Sequence, residues 1–171
     1  MHLTSGQIRY LIRTLNPPLI EPLPCPEGED PEEYRLAWQT RCNWIEGCLF
    51  DLSLDRLMWP HGKEIPFIGA HERNLPDWMG KSESREKLYA WQSERYLILT
   101  KETINMPKWL SAYIWQRSSF ISAGAHEPCT RVAPGFSGRI RHGLDAAFGL
   151  SLERGTRTVG IEFQAYYIPD K

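Results

Sequence analysis

No two of the four cysteines (Cys25, Cys42, Cys48 and Cys129) stand in a C-x-x-C spacing, which argues against a structural zinc site and against a disulfide framework. No long apolar run is present either, so no membrane span is read from the sequence. The opening Met-His-Leu-Thr-Ser-Gly has the look of a helix start, not of a secretory leader, and the expectation is a cytoplasmic protein without a membrane partner. Charge of one sign is missing as well: 20 Lys and Arg against 21 Asp and Glu leave a net −1, so nothing draws the whole chain to nucleic acid. What remains is ample for a core. With 42% hydrophobic residues, the 171-residue chain is read as one domain, residues 1–171.

The histidines are scattered, and surface or turn positions are expected for His2, His61, His71 and His142. His126-Glu127-Pro128-Cys129 holds the ingredients of a zinc deaminase, but that chemistry needs H-x-E in one element and P-C-x-x-C in another. Neither spacing is met, and no protein-held metal is expected.

Thr4 and Gln7 form a capping box that opens a helix over residues 1–16, with Ile8, Leu11, Ile12 and Leu15 on one apolar face. Asn16-Pro17-Pro18 ends it, since proline cannot continue the hydrogen-bond ladder. Leu19–Leu23 should run extended. Asp30-Pro31-Glu32-Glu33 starts a second helix over 30–47, with Tyr34, Trp38, Cys42 and Ile45 on one stripe and Gly47 as its end. Cys48–Leu54 alternates like a strand. Residues 57–95 read as an enlarged loop region, irregular over 57–82 and helical over Ser84–Trp91. From residue 96 to 171 the chain reads as β, with strands at Tyr96–Thr100, Ala112–Trp115 and Val159–Tyr167.

Two segments carry chemistry. Arg117-Ser118-Ser119 offers a planar guanidinium fork and two hydroxyls, a set suited to oligophosphate oxygens; the competing reading of Arg117 is a structural ion pair. Thr130–Gly138 reads as strand, Pro134-Gly135 turn, strand. Arg131, Arg139 and Arg141 cluster there, either as a solvated strand face or as an attractor of phosphate.

These segments resemble the superfamily of dCTP deaminases and trimeric dUTPases. Other landmarks follow in the same order: Leu19–Leu23, Phe50-Asp51-Leu52-Ser53-Leu54, Thr100–Pro107 and the stretch from Leu152-Glu153-Arg154-Gly155 to Phe163. The resemblance covers roughly two thirds of the chain. It implies a mainly β fold, a distorted jelly roll of the β-clip barrel type, with an N-terminal helix and an inserted helix. It also implies a homotrimer with its site between subunits. Arg117, Ser118 and Ser119 would bind the phosphates of a deoxynucleotide (dCTP, dUTP or dTTP). The segment Arg131, Val132, Ala133, Gly135 and Phe136 would form the hairpin for base and sugar. Any Mg²⁺ would be held through the nucleotide phosphates.

The chain departs from that pattern where protons move. Ala133 stands at the dUTPase aspartate, and a methyl group can neither accept a proton nor a hydrogen bond. Gly143 stands at the deaminase glutamate, and Ser122 replaces a second arginine. The usual tail that closes over the triphosphate has no counterpart before Lys171. Asp145 is the weak candidate for a relocated acid, two residues beyond Gly143 and on the same side of a regular strand. His142 and Glu127 are the others, each with a solvent-facing or turn role as the preferred reading. The expectation is a catalytically degenerate nucleotide binder, sensor or interaction module. The alternatives are an active dCTP deaminase or dUTP pyrophosphatase with a relocated acid, and a ligand-free structural or regulatory trimer. Trp38, Trp44, Trp59 and Trp78 fall in the two inserted regions, where they are either a protein-binding surface or additional core.

Overall fold

The computed structural model describes residues 1–21, 30, 33, 45–61, 67–68, 73–74, 77–80, 87–126 and 130–166. The first helix, α1, spans Ser5–Thr14 and has both halves of the Thr4–Gln7 capping box. Its Ile8 and Ile12 are buried, as the three-and-four spacing demands. After it, β1 (Ile20–Glu21) pairs with β8 (Glu94–Asn105).

The architecture is mainly β. Ten strands form one sheet whose main path links β10 (Ala125–His126), β12 (Ser137–Ala146), β8, β3 (Leu49–His61), β14 (Arg157–Ala165), β9 (Leu110–Gln116) and β11 (Thr130–Val132). β2 (Ile45–Glu46) and β6 (Asp77–Gly80) add to β3. β7 (Lys87–Ala90) pairs with β13 (Leu150–Glu153), and β4 (Phe67–Ile68) with β5 (Arg73–Asn74). The short helix α2 covers Ser118–Ser122.

β3 ties the halves together. Its first residues, 49–53, pair with β14, and residues 54–58 pair with β8. Two hydrophobic clusters follow that division. One gathers α1 with Phe50, Leu52, Ile104, Ile114, Ile161 and Phe163. The other holds Leu54, Leu57, Ile98, Phe120, Leu144 and Leu152. β3 also carries buried polar residues, and its partners add more: Ser53, Thr100, Glu102, His142 and Thr158 are all buried.

Several expectations change. The second helix was expected to reach residue 47, yet Ile45–Glu46 is a strand turning through Gly47 and Cys48 into β3; Gly47 takes φ +61°, a conformation glycine adopts without steric cost. Its expected start keeps one support, a bond from the Glu33 amide to Asp30 Oδ1 at 2.9 Å; residues 34–44 lie outside the described residues. The 57–82 stretch is not wholly irregular, because β3 runs on to His61 and β6 returns to pair with it. The helix expected over Ser84–Trp91 is strand β7 from Lys87, held by the β13 ladder; residues 84–86 lie outside the described residues. The closing strand ends at Ala165. His142 is buried, not a surface or turn residue.

Candidate functional site

The Pro134-Gly135 turn forms as its sequence dictates. The Phe136 amide donates to the Ala133 carbonyl at 3.2 Å, and Gly135 takes φ +76°, the conformation a type II turn requires there. The flanking strands, however, do not make the expected hairpin. β11 pairs with β9 and β12 pairs with β8 and β10, so the turn is a corner between the two ends of the sheet. Turn chemistry is local; the partner of each flanking strand is decided by the rest of the sheet.

A cavity of about 720 Å³ opens at this corner. Thr130, Arg131, Val132 and Ala133 line one side, and Phe136 to Arg141 the other, with Leu99 and Ile114 behind them. Val132 is buried and Phe136 packs against the first hydrophobic cluster, so the apolar part of the wall is anchored. All three arginines of the strand region face the space. Arg131 also lies 5.5 Å over the Tyr166 ring. Arg139 is held from behind: its Nε donates to the Thr100 carbonyl at 2.6 Å, and its guanidinium pairs with buried Asp55. The wall thus combines cations, hydroxyls and one aromatic ring, and no carboxylate is among its described lining residues.

Arg117, Ser118 and Ser119 are not part of that wall. Arg117 precedes α2 and pairs with Asp51, the buried aspartate of Phe50-Asp51-Leu52. Arg157 Nη1 lies 3.2 Å from the same Asp51 Oδ2. The ion-pair reading of Arg117 is therefore present, and its side chain still keeps 28% of its exposure. Ser118 and Ser119 are exposed. Asp51 thus accepts from both guanidiniums at this end of the sheet.

Gly143 and Asp145 point to the same side of β12, opposite the buried Ile140, His142, Leu144 and Ala146. Asp145 does not meet the cavity. It sits near the other end of the strand, 3.3 Å from Arg95 Nε and 45% exposed. His142 packs inward with Nε2 3.3 Å from Thr158 Oγ1, and burial pushes its imidazole down to about 4. Neither is placed for proton transfer in the cavity. Glu127 lies outside the described residues.

Three charged residues were missed by sequence reading. Asp55 receives Arg139, Arg154 and, at 3.4 Å, Arg56. Burial pushes its carboxyl up, but the bonds from Arg139 and Arg154 outweigh this and hold it below the usual range. Glu102 is buried with Ser53, whose amide donates to Oε2 at 2.9 Å and whose hydroxyl donates to Oε1 at 2.6 Å. Burial raises its pKa despite these bonds. Arg157 joins Arg117 on Asp51. No local sequence signal marks these partners, which come from β3, β12, β14 and the turn before β14. Among the described residues no three His, Cys, Asp or Glu side chains gather as a metal site. No described helix is long and apolar enough to cross a membrane.

No protein-family model matches the chain. It is similar to the dCTP deaminase of Metallosphaera sedula, 30% identical over 95 residues, covering 55% of each chain. It is also similar to the dCTP deaminase of Acidianus ambivalens, 31% identical over 88 residues and 51% of each. The chain thus spans about half the length of the curated relatives it matches. In three dimensions it resembles the 2′-deoxycytidine 5′-triphosphate deaminase of Agrobacterium tumefaciens, with a TM-score of 0.65 at 15% identity, over 95% of this chain and 46% of that one. The superfamily resemblance read from the sequence is borne out on its dCTP deaminase side, and the fold is of that type.

Proposed function

We propose that this dCTP deaminase-like protein binds a deoxypyrimidine nucleotide (dCTP, dUTP or dTTP) at the Pro134-Gly135 corner without turning it over at ordinary rates. The observation that carries this reading is the composition of the cavity wall. Arg131, Arg139 and Arg141 supply positive charge, Thr130 and Ser137 supply hydroxyls, Phe136 supplies a ring, and no described lining residue is an acid. Ala133 and Gly143 stand where proton-moving carboxylates would be needed. Loss of one general acid or base costs about 10²–10⁴-fold in rate.

The phosphates fall to Arg117, Ser118 and Ser119. In one chain these residues lie outside the cavity wall, which favours a homotrimer in which one subunit's Arg117 end meets its neighbour's cavity. A Mg²⁺ would arrive with the nucleotide phosphates, as a small hard cation often does. The alternative of an active enzyme led by Asp145 is disfavoured by the strand geometry. Asp145 lies four positions beyond Arg141, the last lining residue of β12, about 13 Å at the usual rise. As for an interaction module, Trp59 packs against the second cluster, while Trp38 lies outside the described residues.

The test follows melting temperature and products together, with dCTP, dUTP and dTTP. A bound ligand raises apparent stability by mass action even when nothing reacts. The reading expects a melting shift with at least one nucleotide, its loss in Arg117→Ala, and no product. Robust release of ammonia or pyrophosphate would refute the inactive part. Absence of any shift would refute the binding part.

A further inference from the structure

The Asp55 cluster was not singled out by any motif, and it does not rest on the reading above. Three guanidiniums converge on this one buried carboxylate, which is 4% exposed. Arg154 donates through Nε at 3.0 Å and also through Nη2, Arg139 pairs through Nη2, and Arg56 Nε lies 3.4 Å away.

Three guanidiniums around one carboxylate leave two positive charges uncompensated within the cluster. The carboxylate lies underneath, while the Arg139, Arg154 and Arg56 side chains are 25%, 44% and 45% exposed. Each guanidinium carries five N–H donors, and a single carboxylate cannot occupy them all. The outward donors form a fork geometry that matches tetrahedral oxyanions.

The sheet is irregular at the same place. The β3–β8 ladder shifts register between Leu54 and Arg56, the β12–β8 ladder between Arg139 and Arg141, and the β14–β3 ladder between Arg157 and Val159. Such breaks re-aim side chains and are over-represented beside functional sites. Here they fall beside Asp55, Arg56 and Arg139, and the shift in β3 takes Asp55 and Arg56 out of the regular alternation.

We propose that Arg56, Arg139 and Arg154, gathered around Asp55, form a second anion site that takes a phosphate-type oxyanion. Arg139 joins it to the wall of the corner cavity. The chemistry fits either free pyrophosphate or the phosphate chain of a nucleotide, and the two sources are separable.

The experiment is titration calorimetry at fixed ionic strength, carried out in an Arg117→Ala background so that the Asp51 end contributes nothing. Pyrophosphate and dCTP are titrated separately into that variant and into the same variant carrying Arg56→Gln. Arg139 and Arg154 still neutralise Asp55 in both, and matched thermal melts check the fold. The expected result is pyrophosphate binding in the Arg117→Ala protein that weakens at least tenfold when Arg56 is changed. Parallel weakening of dCTP assigns the site to a nucleotide's phosphate chain; weakening of pyrophosphate alone assigns it to the free anion. Equal affinities in the two proteins, or no binding of either probe to the Arg117→Ala protein, would overturn the proposal. Failure of the nucleotide reading registers elsewhere, as an absence of dCTP binding by the wild type that Arg117 controls.

Discussion

Asp55 and Glu102 are both buried acids on neighbouring strands, and they have opposite electrostatic fates. Asp55 is surrounded by guanidiniums, and they hold its carboxyl below the usual range against the pull of burial. Glu102 is solvated by the amide and hydroxyl of Ser53, and burial prevails, so its proton is held more tightly. At Glu102 the neutral donors do not offset burial, whereas at Asp55 the bonds from Arg139 and Arg154 do.

The largest effect should come from Asp55→Ala. Removing one partner of a buried ion pair costs about 3–5 kcal/mol, because the remaining charges lose their compensation. Urea unfolding at pH 7 should show a loss of about 4 kcal/mol. The sign with pH follows from the lowered folded pKa. Asp55's contribution is present above the unfolded value near about 4 and disappears as pH falls through the lower folded one. The gap between wild type and variant should therefore close in strong acid; a gap that persists there would break the comparison.

His142 sharpens it, as a buried base beside Thr158. Its folded value of about 4 lies below the ordinary value of about 6.5, so the unfolded chain takes up protons first. Stability should fall between pH 6.5 and 4 by about 3 kcal/mol, at about 1.4 kcal/mol per unit. His142→Gln should flatten that slope in pH-dependent melting. Arg117→Ala comes next: at least a tenfold loss of nucleotide affinity by calorimetry, or about 1.4 kcal/mol. Glu102→Gln should be the mildest, within about 1 kcal/mol at pH 5, because an amide resembles a protonated carboxyl. The raised folded pKa of Glu102 means its contribution is full below about 4.3 and is lost as pH rises through the folded value. The variant should thus gain on wild type between pH 4 and 7 in urea midpoints, and a Glu102→Gln protein as damaged as Asp55→Ala would erase the distinction.

Local chemistry was legible in the sequence where it is self-contained. The Thr4–Gln7 box, the apolar face of α1, the Pro134-Gly135 turn and the alternation of β14 all depend on residues close along the chain. The ordered motifs disclosed the fold type. Strand partnership was not legible. β11 and β12 flank a good turn yet pair elsewhere, and Lys87–Ala90 becomes a strand because β13 lies beside it. The Arg117 side of the site was visible as a motif, but its link to Asp51 and Arg157 is tertiary. The Asp55 cluster was invisible for the same reason: its arginines come from β3, β12 and the turn before β14, and a register shift between Leu54 and Arg56 takes Arg56 outside simple period-two reasoning.

The most direct measurement of the central claim is equilibrium dialysis of stoichiometric protein against dCTP, with chromatography of the retained nucleotide. The account predicts that dCTP is retained and recovered intact. Recovery as dUTP or dUMP, or no retention above the protein-free chamber, would contradict it.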